Sequence, residues 1–152
     1  MKYLQVLLGL AATVSAIDIK LHSSNNCGGG LYAYCTNWGP DSCCGQNIAA
    51  YLSVGFYAIP TNWNVETRAH TGGFCAGTRY VLGPQHRSTV CISEPDGIAR
   101  FTGAGYGFTS RKAVSTEASA TDCRPDGLVL DDGTNYALAA LNEDQFSVLV
   151  CI

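Results

Sequence analysis

Eight cysteines placed behind an apolar leader constrain this chain more than any other feature. Cys27, Cys35, Cys43, Cys44, Cys75, Cys91, Cys123 and Cys151 all lie beyond residue 16. Ahead of them, Met1-Lys2 gives a short basic start and Tyr3 to Val14 is an almost unbroken apolar run. Val14-Ser15-Ala16 supplies small or compact residues where signal peptidase reads, and the polar stretch Ile17-Asp18-Ile19-Lys20 follows. That order is the n-region, h-region and cleavage site of a secretory signal. The run falls short of the roughly 20 residues a membrane anchor needs. The expected organisation is a signal peptide over 1–16 and one mature domain over 17–152, secreted and extracellular.

In an oxidising compartment an even number of thiols is expected to form disulfides, here four. The spacings between successive cysteines are 7, 7, 0, 30, 15, 31 and 27 residues. Zinc sites are built from closely paired C-x₂₋₄-C or C/H units, which this series lacks, so no metal is expected. Sequence alone does not choose among the pairings. Cys43 and Cys44 are adjacent, and a bridge between neighbours forces a strained peptide, so each is expected to tie to a different partner.

The rest of the composition narrows the class further. The chain is 47% hydrophobic and 14% charged, with net charge −3. Disorder would need low hydrophobicity and high net charge. A binder of nucleic acid by phosphate neutralisation would need a basic excess, against a pI near 5.4. No segment after the leader suits a bilayer, and a membrane-lytic role would call for a basic amphipathic chain. Neither nucleic acid nor membrane is therefore an expected partner, and a monomer without cofactor is expected.

Seventeen glycines favour a turn-rich β chain. Tyr51 to Ile59 alternates, with Leu52, Val54, Phe56 and Ala58 on one face, and stops at Pro60. Arg79–Leu82, Ser88–Ile92 and Tyr106–Phe108 are shorter strand candidates, with Gly83 to Arg87 as a hairpin loop between the first two. Asp131-Asp132-Gly133 between Leu128–Leu130 and Thr134–Leu138 is a strong hairpin signal. Asn142 to Gln145 resembles a capping box ahead of Phe146, Leu149 and Val150, which favours a short helix, although Phe146, Val148 and Val150 also alternate as a final strand carrying Cys151 would. Ser110 to Thr121 is polar and small, an exposed loop whose Arg111-Lys112 is either a processing site or solvated charge. The predicted fold is all-β, or β-rich α+β: a disulfide-stapled sandwich or barrel with at most one or two short helices.

Catalytic signals are weak. There is no G-x-S-x-G, and no carboxylate pair is marked for glycoside hydrolysis. His22 lies close behind the cleavage site, where order is not expected; His70 sits in a Gly-rich segment and His86 in the predicted hairpin loop. Surface or capping roles are expected for all three, and the protein is not expected to be an enzyme. The aromatics are more suggestive. Trp38, beside Asn37 in a cysteine-bounded loop, and Trp63, beside Asn62 after a strand-ending proline, are candidate binding residues. An indole on a rigid loop can stack on a sugar ring while neighbouring amides bond hydroxyls. Packing of the indole into the core is the alternative for each. Exposure and a contact role are expected for Trp38, and core packing for Trp63.

Cys27-Gly-Gly-Gly, Cys35 and Cys43-Cys44-Gly45 resemble the opening of hevein-type chitin-binding modules over fewer than twenty residues, although the next cysteine, Cys75, comes 30 residues later. More of the chain is similar in style to small secreted cysteine-rich proteins of filamentous fungi, including effector-like ones. The similarity lies in the leader, the Cys43-Cys44-Gly45 doublet, a Tyr/Ser/Val/Phe strand and the widely spaced later cysteines. It implies an extracellular, effector-like virulence protein that binds a host protein without catalysis, or a module that binds chitin or another cell-wall glycan. A small secreted hydrolase or toxin is the third possibility.

Overall fold

The computed structural model describes residues 16–47, 51–94, 96, 100–110 and 123–150. The expected signal peptide up to residue 15, the expected loop around Arg111-Lys112, and Cys151 lie outside the described residues. Among the described residues ten strands and one α-helix follow one another: β1 (Ile17–His22), β2 (Tyr32–Trp38), β3 (Cys44–Gly45), β4 (Ser53–Tyr57), β5 (Val65–Gly72), β6 (Ala76–Leu82), β7 (Val90–Ser93), β8 (Gly103–Phe108), β9 (Gly127–Val129), β10 (Asn135–Ala137) and α1 (Glu143–Val150). They form an all-β sandwich. One sheet has six strands in the order β10-β9-β2-β1-β4-β7, the other four in the order β3-β8-β5-β6, and every described pairing is antiparallel.

The stretch Ile17-Asp-Ile-Lys-Leu-His22 behind the leader is a central strand of the larger sheet. Its odd positions Ile17, Ile19 and Leu21 are buried to within 1% of full burial, while Asp18 and Lys20 remain partly open. Alternation with period two sends one set to the core and the other to the outer face. The expectation that His22 lies in an unordered segment is therefore corrected. It ends β1, between partners Tyr32 on β2 and Ser53 on β4. Val54 and Phe56 of β4 and Val90 and Ile92 of β7 meet the β1 residues in the core. From the other sheet come Val65 and Ala69 of β5 and Ala104 and Tyr106 of β8.

Three disulfides are described: Cys27–Cys91, Cys35–Cys44 and Cys43–Cys75. Adjacent Cys43 and Cys44 do take different partners. Cys35 on β2 and Cys44 on β3 are fully buried, so their bridge fastens one sheet to the other through the core. Cys43–Cys75 ties the segment before β3 to the β5–β6 turn. Cys123 is also fully buried.

The β9–β10 hairpin forms where Asp131-Asp132-Gly133 predicts it. Gly133 has φ +84°, its N–H donates to Leu130 O at 2.9 Å, and Thr134 N–H donates to Asp132 Oδ1 at 2.8 Å. The capping box is equally literal: Gln145 N–H donates to Asn142 Oδ1 at 2.9 Å, and Asn142 N–H to Gln145 Oε1 at 3.1 Å. The loop Gly83 to Arg87 corrects another expectation. It joins β6 to β7, which belong to different sheets, so it is a crossover and not a hairpin.

Candidate functional site

The outward face of the six-stranded sheet is shaped by two glycines. Lys20 on β1 has Tyr34 of β2 directly opposite on one side and Gly55 of β4 on the other. Because Gly55 carries no side chain, the Tyr57 ring leans back along β4 and lies on it; a methyl group there would collide with the phenol. The Tyr57 hydroxyl reaches His22 Nε2 at 3.2 Å. Tyr34 repeats the arrangement on the other flank, lying over Gly127 of β9 and donating its hydroxyl to Asn135 Oδ1 of β10 at 3.1 Å. Glycine on a strand marks close approach of another group, here an aromatic ring.

Between the Tyr57 ring and that of Tyr32 on β2 stands a cation. Lys20 Nζ is 4.5 Å from the centroid of Tyr32 and 5.0 Å from that of Tyr57. Two aromatic faces at that range attract an ammonium by about 0.5–1 kcal/mol each when partly exposed. Tyr32, Tyr34, Tyr57 and Lys20 all remain partly accessible. One end of the face is walled by the turn Asn25–Cys27. Cys27 bridges to Cys91 of β7, its N–H donates to Ser53 Oγ at 2.8 Å, and Asn26 N–H donates to Ser93 Oγ at 3.1 Å. His22 is buried beneath that wall. Burial first, and the Lys20 ammonium second, hold its imidazole below the usual 6.5, against a weaker opposing pull from the Gly28 backbone. Burial, reinforced by the neighbouring Tyr32, raises the Tyr57 phenol, which therefore stays protonated and able to donate at physiological pH.

The acidic groups near this face are engaged in backbone ties. Asp18 Oδ1 accepts from Asn37 N–H at 2.9 Å, and Asp126 Oδ2 accepts from Thr36 N–H and its hydroxyl at 2.7 and 3.0 Å. Arg68, on the other sheet, is paired with Glu66 and Asp41. Among the described residues no three His, Cys, Asp or Glu side chains converge as metal ligands.

The tryptophans stand elsewhere. Trp38 ends β2 opposite Ile17 and packs against the core, with its indole Nε1 shielded from solvent and its carbonyl accepting the Tyr106 hydroxyl at 2.9 Å. The expectation of an indole exposed on a loop is corrected, because a bulge at Asn37 (φ +51°) swings Trp38 inward. Trp63 also packs on the core, 5.1 Å from the Phe108 ring. Asn37 and Asn62 are exposed beside them. The hollow lined by Trp63, Thr67 and His86 holds no more than about one water. The tyrosine face was not legible as a site, since nothing local in the chain places Gly55 and Tyr34 on either side of Lys20. The recoverable signal was the pair Tyr32-Ala-Tyr34 and Gly55-Phe-Tyr57, each alternating its polar-tipped aromatics with core residues.

A secreted, disulfide-stapled all-β protein is the class that this architecture defines. The chain belongs to the ARB_05566_N family, described as an N-terminal domain, which matches residues 18–128. It is 26% identical over 149 residues to an uncharacterized secreted protein of Arthroderma benhamiae, across 93% of this chain and 78% of that one. No solved structure matches it.

Proposed function

We propose that this is a secreted binding protein that acts without catalysis, and that its working surface is the tyrosine-bearing face of the six-stranded sheet, which takes a carbohydrate chain. The observation that carries the reading is the flattening of Tyr34 and Tyr57 onto Gly127 and Gly55, beside Tyr32. Rings laid along a sheet offer an apolar face to the ring of a sugar, and their hydroxyl and amide edges serve its hydroxyls. Disulfides on two sides of the sheet hold the rings in place before a ligand arrives, which lowers the ordering cost of binding.

Sedimentation with insoluble chitin, β-glucan and pectin tests this. Tyr57→Ala and Tyr32→Ala are expected to weaken retention roughly ten-fold or more, as for central aromatic anchors, with little change in Tm. Trp38→Ala is expected to lower Tm and leave retention intact in the folded fraction. Unchanged retention in both tyrosine variants overturns the reading. An effector-like contact with an extracellular host protein, with a role in virulence, is the second reading. Tyr136 favours it, since it is 41% exposed on the short outer strand β10. It predicts that Tyr136→Ala, not Tyr57→Ala, reduces binding to host extracellular extract.

A further inference from the structure

We infer that the glycan taken on this face is acidic: a sugar carboxylate, of the uronic acid class, seats on the Lys20 ammonium between Tyr32 and Tyr57. This rests on the reading of the face as a carbohydrate site and names the kind of sugar it selects.

Four observations lead there. Lys20 is held at its position by two ring faces, 4.5 and 5.0 Å from their centroids, and by no ion pair among the described residues. Ring faces attract the charge but accept none of its three N–H donors in the way a carboxylate oxygen does. The neighbouring polar groups are occupied: Asp18 by Asn37 N–H, Asp126 by Thr36, the Tyr34 hydroxyl by Asn135, and the Tyr57 hydroxyl by His22. Lys20 and the Tyr32 hydroxyl are thus the groups on this face with hydrogen-bonding capacity to give, and of the two Lys20 carries the charge. Finally, directly opposite Lys20 on β4 is Gly55, which lets the Tyr57 ring lie down on the sheet beside the ammonium, so a pyranose ring set against Tyr57 brings its substituent to Lys20.

The chain's net charge of −3 opposes a long polyanion at a distance. Screening confines that repulsion to roughly 8 Å at physiological salt, so pairing at contact range decides for a short oligosaccharide. A charge-assisted hydrogen bond in a partly dry setting is worth enough to change affinity about ten-fold or more. An acidic peptide offers the same carboxylate without a ring to stack on Tyr57, and the flat rings favour the sugar.

The test measures binding of the mature protein to oligogalacturonides, to the same oligomers as methyl esters, and to oligoglutamate, by calorimetry. The acid form is expected to bind about ten-fold tighter than the ester, and to lose that advantage in high salt. Lys20→Gln is expected to abolish the preference for the acid form over the ester, and Lys20→Arg to keep it. Equal binding of acid and ester, with Lys20→Gln silent, overturns the inference and leaves the glycan reading standing. Binding of neither form, with the native chain also failing on chitin and β-glucan, overturns both. Tight, Lys20-dependent binding of oligoglutamate without the oligogalacturonide overturns the inference in favour of an acidic peptide.

Discussion

The outward faces of the two sheets both carry glycines, and the chain uses them in opposite ways. On the four-stranded sheet, Gly103, Gly105 and Gly107 of β8 are crowded by the protein's own segment 41–45. A methyl on Gly105 would meet Ser42 O, and one on Gly103 would meet the Cys75 sulfur and Gly45 Cα. Arg68, paired with Glu66 and Asp41, closes over Gly107. On the six-stranded sheet, Gly55 and Gly127 receive tyrosine rings that remain partly accessible. One trough is filled by backbone and a disulfide, the other by side chains able to meet a ligand. A glycine on the outer face of a strand therefore marks something lying on it. Only the identity of that occupant separates structural closure from a binding surface.

The largest effects should come from the disulfide that borders each face. By loop-closure entropy, removing Cys27–Cys91 (separation 64) costs about 4 kcal/mol, and removing Cys43–Cys75 (separation 32) slightly less. The comparison is sharpened by function. Cys27→Ala/Cys91→Ala is expected to lose ligand along with stability, while Cys43→Ala/Cys75→Ala retains binding in its folded fraction, both measured by denaturant unfolding and sedimentation. Thiol titration of the denatured, unreduced native protein should find none, because Cys123 and Cys151 are then left to join each other.

Next come the glycines themselves. Gly105→Ala must push backbone aside at Ser42 and is expected to cost about 1–3 kcal/mol. Gly55→Ala displaces only the Tyr57 ring, so stability should change by less than about 1 kcal/mol while glycan retention falls. A reversal of these two outcomes would break the contrast between the faces.

The smallest effect is that of pH. His22 on the open face and His70 on the closed one both sit below the usual 6.5, each chiefly through burial. The folded state then binds fewer protons than the unfolded state below that value. Stability is accordingly complete above about pH 6.5 and declines as pH falls through the lowered values. Thermal melts should show Tm level between about pH 7 and 8 and dropping towards pH 5, with His22→Gln and His70→Gln each flattening part of the slope.

Much of the fold was legible wherever a local rule applied without competition. Asp131-Asp132-Gly133 announced the β9–β10 hairpin and the alternation of Val54 and Phe56 announced β4, while at α1 the capping box of Asn142 and Gln145 won over a strand-like alternation of Phe146, Val148 and Val150. The β5–β6 hairpin was hidden because its turn places Phe74 (φ +52°) and Cys75 (φ +59°) in the left-handed region, which turn rules reserve for Asn and Gly. The crowding of β8 and the bridge from Cys75 to Cys43 hold that turn in place of a favourable residue. Strand β1 has a clean alternation, but it directly follows the expected cleavage site, where chain ends are often unordered. Gly83 to Arg87 has sound turn chemistry, yet which sheet the chain enters next depends on long-range packing. The candidate site was the least legible part, because it exists only through the register of β1 against β2 and β4.

The claim that the open tyrosine face is the binding surface is tested most directly by titrating isotope-labelled mature protein with an oligogalacturonide and following its amide resonances. The account predicts shifts at Lys20, His22, Tyr32, Tyr34, Gly55 and Tyr57, with Glu66, Arg68 and Gly103 to Gly107 unmoved. Shifts confined to the four-stranded sheet, or to the segments around Trp38 and Trp63, would contradict it.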